Sequence, residues 1–234
     1  MRRQMWSGSM GWDWDKVVPM KPGGDAGIYA PLQGVRAYWE GLRQPPLLPH
    51  RHEIDPRGLE SALEYTFMVE RVAPGVARFR LAGSHLTLLA GAEVRGMPLT
   101  ALLEPTARDD AMALTEKLFD EPAIIGLALE AERGMGKPAL EGRMILLPVL
   151  GDDSICDRAL GCLVTHGKIG RSPRRFAISH RRSEGVGPMP PRTKAAPAMR
   201  LEPGFADSAR RFTAQTETAA RQGRPHLRLV KSDD

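Results

Sequence analysis

A few groups of residues have types and spacing that invite chemistry. His50 and His52, followed by Glu53 and Asp55, carry donors that a divalent metal accepts. Zinc wants three or four convergent ligands. The segment reads as an extended loop with the two imidazoles on opposite sides and no third histidine nearby, so no metal site is expected. Arg51 and Asp55 read as ordinary loop partners. Ser84-His85 sets a hydroxyl beside a base, but a nucleophile and its base must converge in space, and the pair reads as a helix start. Gly134-Met135-Gly136-Lys137 joins two strands rather than a strand to a helix, which is not the setting of a phosphate-binding loop. Asp152, Asp153 and Asp157 read as a solvated polar turn. Two cysteines, Cys156 and Cys162, are too few for a disulfide scaffold or a four-Cys zinc site. With no polar set converging, the expectation is a protein that is not an enzyme.

Basic residues form the other feature with chemical reach. The chain of 234 residues has a net charge of +5, but residues 168–234 hold 15 Lys and Arg against 6 Asp and Glu. The remaining two thirds are therefore mildly acidic. Arg174, Arg175, Arg181 and Arg182, among prolines, could contact phosphates of nucleic acid or of an anionic lipid surface. There is no base-reading module and no aromatic interleaving beyond Phe176, so such binding would be nonspecific and salt-sensitive. A solvated tail is the competing reading.

The elements that must position these groups follow from periodicity. The 24 Gly and 20 Pro make up roughly a fifth of the chain, against about 12% on average, so much of it is neither helix nor strand. Residues 1–34, with Trp12-Asp13-Trp14-Asp15 among glycines, read as a flexible lead. Val35, Tyr38, Trp39 and Leu42 share one helical face over 35–43, ended by Pro45-Pro46. Asp55 and Pro56 are a good cap and first residue for a second helix through about Leu63. Residues 66–72 and 76–82 read as a strand pair, with Pro74-Gly75 in a type II turn. Short helices over 84–90 and 98–104 and a longer one over 106–119 come next. Strands over 123–132, 139–149 and 159–167 follow.

From residue 168 onward the composition cannot offset its ordering entropy, so residues 170–202 are expected to be disordered, with a weak helix over 205–221. No apolar run approaches the roughly 18 residues of a membrane span. No apolar stretch backs Arg2-Arg3 as it would in a signal peptide. A cytoplasmic location is expected. The element order makes an α+β domain over 35–167: a five-stranded antiparallel sheet, one face covered by helices inserted between its second and third strands. Disordered N- and C-terminal extensions flank it. This is the order of the PAS fold.

Residues carry the same message. Tyr38-Trp39-Glu40 with Leu42-Arg43, then Pro49, Arg51 and Ile54-Asp55-Pro56, are the first matching stretches. Ala77-Arg78-Phe79-Arg80-Leu81-Ala82-Gly83, Gly91, Glu93 and Arg95-Gly96 follow. Over roughly 35–167 the chain resembles the small bacterial stand-alone PAS-like proteins. That resemblance implies a sensory or interaction domain and names no ligand.

A pocket between sheet and helices is expected to be lined by Phe79, Leu81, His85, Leu89, Ile125, Leu127, Leu129, Leu146, Cys162 and Val164, unless these simply fill a close-packed core. No cofactor is expected. Haem would need an axial ligand, and the helix over 106–119 has no histidine. Neither cysteine sits on the helical side where a photoactive flavin would need one. Tyr38, Trp39 and Leu42 are candidates for a homodimer interface, since Trp and Tyr are enriched at interfaces. The expected partner is an unidentified signalling protein. The reading is a PAS-type sensory or protein-interaction module, with no output domain read in the chain. The alternative is a basic-tailed protein binding nucleic acid or anionic surfaces.

Overall fold

The computed structural model describes residues 25–45 and 47–186. A single helical turn, α1 (Asp25–Ile28), leads into α2 (Ala30–Leu42). Pro31 sits in the first turn of α2, where a missing N–H costs nothing. The apolar stripe of α2 starts earlier than the 35–43 reading, because Tyr29 and Leu32 join Val35 and Trp39 in the core. A short 3-10 turn, Arg51–Glu53, and a 3-10 helix, Pro56–Tyr65, follow. Asp55 caps the latter as expected, its side chain accepting from the Arg57 N–H at 2.9 Å, but the helix winds as 3-10 rather than α.

Six strands form one antiparallel sheet: β1 (Thr66–Ala73), β2 (Val76–Ala82), β3 (Ala123–Ala131), β4 (Leu140–Leu150), β5 (Cys156–Gly167) and β6 (Phe176–Gly185). Their order across the sheet is β2-β1-β5-β4-β3-β6. Ala73 pairs with Val76 across Pro74-Gly75, and Gly75 takes φ 68°, the left-handed value that a type II turn demands of its third residue. Five of the strands are those read from the sequence. The sixth corrects the count. β6 pairs along β3 from Ala131–Phe176 to Ala123–Gly185, inside the stretch expected to be disordered. It is an edge strand, mostly polar beyond Phe176 and Ile178, and it is held by backbone hydrogen bonds to β3, by the buried Phe176 ring and by the Arg181–Asp110 pair.

Between β2 and β3 lie α3 (Ser84–Ala90), the 3-10 turns Leu99–Leu102 and Pro105–Ala107, and α4 (Arg108–Asp120). Opposed residues on paired strands share a face. Phe67, Gly161, Leu146 and Ile125 therefore form a row across one face, and Thr66, Cys162, Ile145 and Gly126 a row across the other. The inserted helices cover the first face, with Leu118 and Phe119 of α4 buried there.

The second face is covered too. The Arg143 guanidinium on that face lies 4.4 Å from the Tyr29 ring, and Arg36 of α2 pairs with Glu184 at 3.2 Å. Burial on both sides is why β3 and β4 read as nearly continuous apolar runs.

Candidate ligand cavity

The second face is where the helical cover is incomplete. Tyr38 Oη accepts from the Asp55 N–H at 2.7 Å and donates to the Asp55 carbonyl at 3.1 Å, which pins α2 to the 3-10 helix. Gly58 lies directly under that ring: a Cβ there would come within 2.2 Å of it. Leu59 and Ala62 then bury against the sheet. Beside this anchor, between the 51–63 segment and the β1–β2 hairpin, is a cavity of about 490 Å³. Ile54, Pro56, Leu59 and Leu63 form its helical wall. Met68, Leu81 and Leu160 form its sheet wall. Arg51 and His52 are the ionisable groups on its border, and both are exposed. The Thr66 hydroxyl, also on the lining, is already committed to the Ala62 carbonyl at 2.8 Å.

A bulge in β2 explains why Leu81 is here. The register moves from Met68–Leu81 to Val69–Phe79, leaving Arg80 as the extra residue. Residues 79 and 81, which a regular strand would place together, are thus sent to opposite faces. Phe79 is fully buried, its ring 5.3 Å from that of Phe67, while Leu81 is 56% exposed at the cavity.

The ten residues expected to line one pocket are therefore split. Phe79, Leu89, Ile125, Leu127, Leu129 and Leu146 pack in the core beneath the inserted helices. His85 joins that side, its Nε2 3.0 Å from the Thr165 hydroxyl and its ring edge-on to Tyr65. Burial lowers the His85 pKa, with a small opposing pull from Glu64. Cys162 and Val164 occupy the second face. Burial pushes the Cys162 thiol up to about 12, so it stays protonated near neutrality. Only Leu81 of the ten borders the cavity. The other lining residues come mostly from residues 51–68, joined by residues 82–83 and by Leu160, and no periodic pattern marks them.

The remaining candidates are placed as follows. Residues 51–53 turn rather than extend, so the His50 and His52 rings sit 5.2 Å apart instead of on opposite sides. Opposite placement had no basis in extended chain either, where residues two apart share a side. Glu53 turns away to accept from the His50 N–H at 2.6 Å. Among the described residues no group of three or more His, Cys, Asp or Glu is placed to hold a metal.

Trp39 is wholly buried, with its indole N–H donating to the Pro148 carbonyl at 2.9 Å. It belongs to the protein's own core and offers no interface surface. Tyr38 and Leu42 are half-buried.

Arg174 is also fully buried. It donates to the carbonyls of Glu132 at 2.9 Å and Pro138 at 2.8 Å, and to that of Ile169. Arg181 pairs with Asp110 at 2.6 Å. Arg174 and Arg181, both singled out for phosphate contact, are thus engaged by the fold. The weak helix expected over 205–221 lies outside the described residues.

A family model described as a PAS domain matches residues 29–164. The chain belongs to the PAS domain family. Within this PAS domain the match starts at Tyr29, the first residue of the buried stripe that leads into α2, and ends in β5. The sixth strand lies beyond it. No curated protein matches the chain. No helix among the described residues is long and apolar enough to cross a membrane.

Proposed function

We propose that this PAS domain is a non-catalytic sensory module of the cytoplasm, whose input is a small ligand held between the 51–63 segment and the β1–β2 hairpin. The observation that carries the reading is the cavity itself. Its volume falls within the about 300 to 1,000 Å³ usual for small-molecule sites, and it is apolar with few polar groups.

Its position supports an output. The segment over the cavity is tied to α2 through Tyr38 and Asp55. In turn α2 is tied to the end of β6, through Arg36 to Glu184 and through Arg43 to the Val186 carbonyl. A ligand that favours one seating of the segment shifts α2, and with it the end of β6, the change a signalling partner would read. It can do so only through its differential affinity for the two seatings.

Native mass spectrometry of the purified full chain tests this. A retained small molecule, lost when Leu81→Trp fills the cavity, is the expected result. A bare protein mass, together with no thermal stabilisation by any member of a metabolite panel, would count against it.

A further inference from the structure

We infer that the cavity takes an amphipathic carboxylate, an apolar body ended by one anionic head, with Arg51 as the group that selects the head. This deepens the sensory reading and rests on it.

The chemistry of the border is one-sided. No acidic residue lines the cavity, while Arg51 and His52 both do. Among the described residues no carboxylate pairs with Arg51. The two acidic side chains nearest in sequence are turned to backbone: Glu53 accepts from the His50 N–H and Asp55 from the Arg57 N–H. A guanidinium presents a planar fork that matches a carboxylate with two parallel hydrogen bonds. Below it, the Thr66 hydroxyl is spent on Ala62, and the walls are the aliphatic side chains of Ile54, Leu59, Leu63, Leu81 and Leu160. A neutral polar ligand would lose hydrogen bonds to water there without replacing them. An aliphatic chain loses nothing, and its head stays at the exposed rim beside Arg51.

Arg51 lies in the three-residue turn that precedes the 3-10 helix, so a bound head would draw that turn toward the hairpin. This gives the proposed switch a physical handle at the segment's start.

Titration calorimetry of the full chain with octanoate and with 1-octanol, below any micelle concentration, tests the assignment. Octanoate is expected to bind one to one and about tenfold more tightly than octanol, the worth of one charge-assisted contact at an exposed rim. Arg51→Gln should abolish that preference while leaving octanol affinity within about twofold. Leu81→Glu, at an exposed position where folding is readily confirmed by circular dichroism, should repel octanoate more than octanol. Equal affinities, a preference that survives Arg51→Gln, or no binding of either probe would overturn the carboxylate assignment. Native mass spectrometry, which makes no assumption about ligand class, decides the sensory reading separately.

Discussion

Replacing Trp39 with alanine should destabilise the protein severely while leaving its oligomeric state unchanged. The indole is fully buried between α2 and the sheet, and it satisfies the Pro148 carbonyl. Truncating a buried aromatic to alanine costs about 3 to 5 kcal/mol through lost burial and the residual cavity. Orphaning a buried carbonyl adds about 1 kcal/mol or more. A total near 5 kcal/mol is a large part of the about 5 to 15 kcal/mol that holds a typical domain together.

With a urea m-value near 2 kcal/mol/M, the midpoint should fall by about 2.5 M. Trp39→Phe keeps most of the apolar bulk and loses the donor, so its cost should be nearer 1 to 2 kcal/mol. Urea unfolding followed by far-UV circular dichroism, with a sizing column run on the same samples, separates the two roles of the residue. A midpoint lowered by less than about 0.5 M, or a changed elution volume at constant midpoint, would refute the core placement.

Further outcomes follow from other buried contacts. Arg174→Met should cost about 3 kcal/mol in urea unfolding, because the three carbonyls around the buried Arg174 lose their donor. Gly161→Ala should cost about 1 to 3 kcal/mol, since a Cβ there meets the Phe67 ring at 2.2 Å. Phe67→Leu in the same chain should recover part of that loss in a double-mutant cycle. Neither Cys156 nor Cys162 should react with a thiol reagent at pH 8 in the folded protein. Both are buried and the Cys162 thiol is held protonated, so two thiols should appear only in denaturant. His85 has a folded pKa below its ordinary 6.5, so the unfolded chain binds its proton first. Its contribution is present above about pH 6.5 and is lost as the pH falls toward the lowered value. His85→Gln should flatten the slope of stability between pH 7 and 5.

The strands that were legible in the sequence are those whose side chains face a dry layer. β3 and β4 are apolar on nearly every residue, and β5 on most, because a helical layer lies over each face of the sheet. The β1–β2 hairpin was legible for a second reason, its Pro-Gly turn. β6 was not, because beyond Phe176 and Ile178 its side chains are polar, and its pairing with β3 runs through backbone hydrogen bonds that leave no trace in side-chain type. The start of α2 was masked by the glycine-rich lead before it, although Pro31 marks the first turn.

The cavity was harder still. Periodicity points beneath the inserted helices, where Phe79, Ile125 and Leu146 are buried in the core. A single bulge at Arg80 separates Phe79 from Leu81, and no alternation pattern reveals a bulge before the pairing is known. Sequence alone marks Arg51 as a loop residue and Pro56 as a helix start, both within the family resemblance; the folded chain puts them at one opening with Leu160.

The most direct measurement is amide hydrogen exchange on the full chain with and without saturating octanoate. Added protection should concentrate in residues 51–68 and 81–83 and around Leu160, with the amides of α3 and α4 unchanged. Protection confined to α3, α4 and β3 would place the ligand under the inserted helices and contradict a sensing site on the second face.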